Sequence, residues 1–258
     1  MMKSKRQIEI LNHINLKGSS YIDELIEVFK ISKATLNRDL TLLEKAGYVK
    51  KIHGGVVSKK TMLTFEPLQL EKESVESEHK TKIAKAAIKY IKDGSIIILD
   101  SGSTSLCLAV EISQQRHFDN LYVVTNDLKV AMALSDAEFV NLILLGGQKR
   151  KGLFSLVGSL TIQTLKNINA DLFFLCVDAI DFERGISNAN FDEIAIKDLM
   201  LKSAKQTVMI ADYSKFNTWR LAKICDFDDI DIVITDDRIT RQDNERLHSL
   251  VEEVVVAR

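Results

Sequence analysis

What the chain has little of narrows its class first. It carries one proline, Pro67, and 11 glycines in 258 residues, so proline-rich, glycine-rich and collagen-like chains are excluded. Aromatics are only 7%, so a core has to be assembled mainly from Ile, Leu and Val. No apolar run approaches the roughly 18 residues that a membrane span needs. The longest, such as Ile96 to Leu99 and Leu172 to Val177, are far shorter. The opening residues, Met1-Met2-Lys3-Ser4-Lys5-Arg6, lead into no apolar stretch, which argues against a secretory signal. The three cysteines, Cys107, Cys176 and Cys225, are widely spaced, odd in number and form no zinc motif. Buried reduced thiols in a cytoplasmic protein are expected. His13, His53, His79, His117 and His248 show no His-x-x-x-His spacing, so neither a metal nor another cofactor is expected.

What is present is an ordinary globular balance, 46% hydrophobic and 28% charged, enough apolar surface to offset the entropy of ordering. The net charge of -1 hides an asymmetry. Residues 1–60 hold 12 Lys and Arg against 6 Asp and Glu, and the remainder carries an excess of seven negative charges. A basic head on an acidic body suits a nucleic-acid-binding module joined to another domain.

The head reads as three helices and a hairpin. Ile10 and Ile14 lie four apart in a first helix over about Lys3 to Leu16, which Gly18-Ser19-Ser20 ends. Ile22, Leu25, Ile26 and Phe29 keep helical spacing in a second, Tyr21 to Phe29. Ser32 suits the N-cap of a third, whose buried seam is Leu36, Leu40 and Leu43, and Gly47 suits its left-handed end. That order describes a helix-turn-helix. Ser32, Lys33, Thr35, Asn37, Arg38 and Thr41 are types that reach phosphates and base edges; Arg suits guanine and Asn adenine. Tyr48 to Val57 alternates about Gly54-Gly55 as a wing, and Lys50, Lys51, His53 and Gly54 would meet the DNA backbone. The expected domains are a winged helix-turn-helix over 1–58, a charged linker over 59–76, and a larger domain over 77–258.

The larger domain opens with a helix from Ser77 to about Lys92. Continuous apolar strands then alternate with helices: Ile96–Leu99, Leu121–Thr125, Val140–Leu145, Leu172–Val177, Thr207–Ala211, Ile232–Thr235 and Val254–Val256. This is an α/β fold with a mostly parallel sheet covered on both faces. Ligands bind beyond the carboxyl ends of such strands. The first strand runs into Asp100-Ser101-Gly102-Ser103-Thr104, where hydroxyls and a helix start make a candidate phosphate cradle, or simply a capped tight turn. It lacks the Gly-Lys-Ser/Thr of a nucleotide loop. Other strands end in Thr125-Asn126, Gly146-Gly147, Asp178 and Asp212, with Lys215 close behind. Carboxylates suit sugar hydroxyls and Lys a phosphate, so these residues together suggest a phosphorylated sugar.

Phe29-Lys30-Ile31-Ser32-Lys33-Ala34-Thr35-Leu36-Asn37-Arg38-Asp39-Leu40, then Leu43-Glu44 and His53-Gly54-Gly55, resembles the DeoR family of bacterial transcription regulators. That family's pattern is S-x-x-T-I-R-R-D-L, a Leu-Glu pair and an H-G-G wing. Ser32, Thr35, Arg38, Asp39, Leu40, His53, Gly54 and Gly55 match, and Asn37 stands where the family usually has Arg. Leu99 to Thr104, Val124 to Asn126, Leu145 to Gly147 and Ala211 to Phe216 are similar to the family's sensor domain, which is itself similar in fold to ribose-5-phosphate isomerase. Cys176 stands where the family often has Gly, and a side chain there would narrow the pocket. The resemblance implies a repressor of sugar-metabolism genes that binds double-stranded operator DNA and a phosphorylated sugar, as a homo-oligomer (dimer or tetramer) away from the membrane. Two alternatives stay open on the residues alone. One is a sugar-phosphate isomerase-like enzyme using Asp178, Asp181 and Glu193; the other is a ligand-independent DNA-binding assembly protein.

Overall fold

The computed structural model of the chain describes residues 5–59, 63–64, 66, 73 and 76–258. The chain divides into two compact units, 1–67 and 68–258. Most of the 59–76 linker, and the start of the first helix at Lys3, lie outside the described residues.

The first unit holds α1 (Lys5–Lys17), β1 (Ser19–Tyr21), α2 (Ile22–Phe29), α3 (Lys33–Lys45), β2 (Val49–Ile52) and β3 (Gly55–Ser58). Its core gathers the apolar stripes of all three helices: Ile10 and Ile14, Leu25, and Leu36, Leu40 and Leu43 are buried. The Ser32 Oγ accepts the Thr35 N–H at 3.2 Å, capping α3, and Gly47 takes φ +87 just past its end. One element differs from the reading of the sequence. Gly18-Ser19-Ser20 does break α1, but Ser19–Tyr21 is also a strand, paired antiparallel with β3. Three residues with two serines show no alternation to detect, so backbone pairing alone makes this strand.

The second unit has α4 (Ser77–Ala87), β4 (Ile96–Leu99), α5 (Ser103–Ser113), β5 (Leu121–Thr125), α6 (Leu128–Leu134), β6 (Val140–Leu144), β7 (Gln148–Lys149), β8 (Leu156–Val157), α7 (Ser159–Leu165), β9 (Ala170–Leu175), β10 (Ala179–Asp181), β11 (Gly185–Asn188), α8 (Ile194–Ser203), β12 (Ala204–Ile210), β13 (Ala222–Cys225), β14 (Ile232–Asp236), α9 (Arg241–His248) and β15 (Glu253–Ala257). Seven strands form one sheet in the order β15-β14-β12-β9-β4-β5-β6, and every pairing in it is parallel. The apolar strands explain this: both faces are buried, with the period of two splitting each strand between two cores. Ile97, Leu99 and Phe174 pack with α4, α5 and α6; Ile98, Phe173 and Leu175 pack with α7, α8 and α9.

The first helix of this unit is shorter than its pattern predicts. Ala87 ends α4, and a 3-10 turn, Ile88–Tyr90, follows. The antiparallel β7–β8 hairpin, the small β10-β11-β13 sheet and helix α7 were not anticipated, because their segments are too short or too polar for periodicity to stand out. Among the described residues no helix is long and apolar enough to cross a membrane.

Candidate functional site

On the N-terminal unit, Ser32, Lys33, Arg38, Lys50, His53 and Gly54 are exposed, whereas Thr35, Asn37, Thr41 and Lys51 are half-buried. Two of the latter turn to each other. The Lys51 Nζ donates to Thr41 Oγ1 at 2.6 Å and to the Asn37 carbonyl at 3.3 Å, while the Thr41 hydroxyl donates to that same carbonyl at 2.7 Å. The wing is thereby fastened to α3. The Lys51 N–H also donates to Glu44 Oε1 at 2.7 Å. The middle of the helix is tied to α1 through Asp39, 2% exposed, which accepts from Arg6 Nε at 2.7 Å and Gln7 Nε2 at 2.9 Å. Burial opposes the Asp39 charge, but those donors outweigh it and keep the carboxyl below its ordinary range.

In the second unit, parallel pairing brings the ends of β4, β5, β6, β9 and β12 to one edge of the sheet. The residues singled out after those strands, scattered from Asp100 to Lys215, therefore share that edge. The β4–α5 loop is organised by Asp100, 1% exposed. Its Oδ1 accepts the Ser101 N–H at 2.8 Å and its Oδ2 the Cys176 N–H at 2.9 Å, and Lys197 from α8 forms an ion pair with it. The Lys197 Nζ also donates to the Cys176 carbonyl at 2.9 Å. Burial pushes Asp100 up to about 6 against the pull of Lys197. Lys197 is held above its ordinary range: burial works against its charge, but Asp100 and Glu193 outweigh it. Both are therefore charged at neutral pH.

The Cys176 Sγ lies 3.2 Å from Ser105 Oγ, packed against the β4–α5 loop. A Cβ on Gly102 would meet that sulfur at 2.9 Å. Gly102→Ala is therefore expected to cost about 1–3 kcal/mol by overcrowding. Thermal unfolding checks this, and a Cys176→Gly background should recover most of the loss. Burial also pushes Cys176 up to about 11 and Cys225 up to about 12, so neither is a thiolate at neutral pH.

The remaining positions divide. Thr125 Oγ1 accepts the Asp127 N–H at 3.1 Å, and Asp178 Oδ2 accepts the Ala189 N–H at 3.2 Å, so both brace their loops. Asn126 Nδ2 donates to the Leu156 carbonyl at 3.1 Å, but its buried Oδ1 meets no donor among the described residues. Asp212 Oδ1 accepts the Ser214 N–H at 3.0 Å, while its buried Oδ2 is likewise unmatched. Ser103 and Thr104 are buried in the first turn of α5, and Gly102, at its N-cap, adds no side-chain bond. Gly146 and Gly147 are exposed past β6. At Gly147, φ +145 and a Cβ position 2.6 Å from the Val157 carbonyl oxygen exclude a side chain. Lys215 is half-buried in the 3-10 turn that follows Asp212.

Residues 6–62 match the DeoR-like helix-turn-helix domain, and residues 75–237 match the DeoR C-terminal sensor domain. The chain belongs to the DeoR family. Several relatives of this DeoR-family chain are named as regulators. A protein of Escherichia coli O157:H7 named for transcriptional repression of the aga operon is 35% identical, over 98% of this chain and 93% of its own. The lactose phosphotransferase system repressor of Lactococcus lactis subsp. lactis is 32% identical over 93% and 94%. The HTH-type transcriptional regulator IolR of Bacillus subtilis is 30% identical over 95% and 97%. Among solved structures, ribose 5-phosphate isomerase A from Methanocaldococcus jannaschii is similar at 19% identity, 55% coverage of each chain and TM-score 0.40. The chain is a DNA-binding transcription regulator and not an enzyme, as its family and the names of its relatives have it.

Two residues at the sheet edge of this DeoR-family sensor, Lys197 and Arg150, were not assigned to it from the sequence, and Glu193 was named only for the enzyme alternative. Lys197 and Glu193 are four apart on one turn, among Ile194, Ile196 and Met200. Charges facing an apolar stripe were the available signal. Arg150 had none, because only the hairpin's fold picks it out of Lys149-Arg150-Lys151. His79 also approaches Asp236 and Asp237 at 3.7 Å, a grouping that spacing could not reveal. Both Asp236 oxygens are already engaged, Oδ1 by Arg238 Nε at 2.7 Å and Oδ2 by the Tyr213 N–H at 2.8 Å.

Proposed function

We propose that the chain represses sugar-metabolism genes, and that a phosphorylated sugar bound at the carboxyl edge of its parallel sheet sets its affinity for operator DNA. The observation that carries this reading is the edge itself. The start of α5 offers amide N–H groups and a positive dipole end for an anion. Along the same edge Asn126 Oδ1 and Asp212 Oδ2 are buried acceptors with no donor among the described residues, which suits hydroxyl groups of a sugar. Lys215 adds a cation for phosphate. The names of relatives that regulate aga or lactose genes support the same ligand class. In the reader, exposed Ser32, Lys33, Arg38, Lys50, His53 and Gly54 meet the duplex, while Thr35, Asn37, Thr41 and Lys51 line the inner margin of that surface. One small reader makes few contacts, so the regulator works as a homo-oligomer on symmetric half-sites, in the cytoplasm where its operator lies.

Fluorescence anisotropy tests this on labelled DNA from upstream of the encoding gene, titrated with and without a panel of sugar phosphates. One of them is expected to shift DNA affinity by about 5–150-fold, the usual span of allosteric coupling. Binding that ignores every member of the panel refutes the sensor half of the proposal.

A further inference from the structure

The anion cradle already contains a carboxylate. Glu193, immediately before α8, is 5% exposed. Its Oε1 accepts from Ser101 Oγ at 3.2 Å and pairs with Arg150 Nη1 at 2.8 Å, and its Oε2 accepts from Asn188 Nδ2 at 3.1 Å. Ser101 belongs to the β4–α5 loop, Arg150 to the β7–β8 hairpin and Asn188 to the end of β11. Donors from three separate segments thus converge on one carboxylate beside the loop that begins α5. These are the groups a phosphate monoester seeks: a hydroxyl, a guanidinium and an amide.

Arg150 is 8% exposed, and a guanidinium held that deep requires a counter-charge. Glu193 supplies it. A phosphate entering the loop would meet that carboxylate at contact range, where little water screens the repulsion. The two anions therefore compete for one place. Lys197 takes no part in an exchange, since its amine is committed to Asp100 and the Cys176 carbonyl.

We infer that Glu193 is an internal stand-in for the effector's anion: an incoming phosphate monoester expels the carboxylate from Ser101 and takes over Arg150. Arg150 is then a further effector-binding residue, and Glu193 sets the concentration at which the sensor responds. A neutral sugar has nothing to offer Arg150 in exchange and is rejected. The inference rests on the phosphosugar reading of this loop.

Calorimetric titration of the full chain with inorganic phosphate and with sugar phosphates tests it. Glu193→Gln is expected to bind phosphates about tenfold more tightly than the wild type, and Arg150→Gln about tenfold more weakly, as expected for removing a like or an opposite charge. Unchanged or weaker binding by folded Glu193→Gln, beside measurable wild-type binding, overturns the stand-in and leaves the phosphosugar reading intact. No binding by either protein, with operator affinity indifferent to all the phosphates, overturns both. Hydrogen exchange on the unmutated chain gives a second readout. With saturating phosphate, residues 190–193 should exchange faster as Glu193 leaves, while hairpin 148–157 stays protected. Slower exchange at 190–193 overturns the inference.

Discussion

Replacing Lys197 by methionine is expected to destabilise the C-terminal unit by about 3–5 kcal/mol, the range for removing one partner of a buried ion pair. Methionine fills similar space, so the loss comes from charge. The Asp100 carboxylate stays in a site 1% exposed, keeping two backbone N–H donors but losing its ammonium. The pH dependence identifies the cause. Burial pushes Asp100 up to about 6 even beside Lys197, and without the ammonium it rises further. A carboxyl with a raised folded-state value is bound to its proton more tightly in the folded chain, so its contribution to stability is present at low pH and lost as pH climbs through that value. The deficit of Lys197→Met should therefore be small near pH 4, about where an unfolded aspartate titrates. It should widen through pH 6 and be largest at pH 7 and above. Urea unfolding at several pH values measures this; a deficit that shrinks with rising pH would refute it. The double variant with Asp100→Asn should recover part of the loss at neutral pH, since no charge is then stranded.

Arg38→Ala is expected to weaken operator binding by about 1–3 kcal/mol per half-site, the span for a lost base-edge contact. In the proposed homo-oligomer on symmetric half-sites the loss is felt at each half-site. Arg38 is exposed on α3, and Leu36, Leu40 and Leu43 bury the opposite face, so the substitution should leave thermal unfolding of the reader nearly unchanged. The salt dependence separates two roles. If Arg38 reads a base, specificity falls while the slope of log affinity against log salt is kept; if it holds a phosphate, the slope drops by about one per half-site. Lys50→Ala on the wing should show the second pattern. Wild-type affinity from Arg38→Ala would remove that side chain from the interface.

Much of this architecture was legible because most strands of the seven-stranded sheet are built around apolar runs with polar or glycine residues nearby. Ile96–Leu99 and Leu121–Thr125 appear in the structure with the bounds their composition suggests. The capping of α3 by Ser32 and the left-handed Gly47 followed from single residues with one physical role each. The candidate binding loop was legible as a loop, but its support was not. Asp100 looks like an open ligand group in sequence, yet both of its oxygens are taken by donors of the chain itself. Nothing local to Arg150 distinguishes it from its two basic neighbours, since its burial is created by a hairpin too short to show a period. Thr41 and Lys51, ten residues apart, give no hint that they bond to each other until the wing folds back on α3.

The partners that fix Asp100 follow it in the chain by 76 and 97 residues. Those of the reader's core all fall between Ile10 and Val56. A ribosome releases the N-terminus first, so the reading head is able to fold while α8 has yet to be synthesised. A polypeptide interrupted before α8 would thus keep a folded reading head while lacking the lysine that shapes the candidate sensing loop. Completeness of synthesis is, for this molecule, a precondition for being answerable to a metabolite.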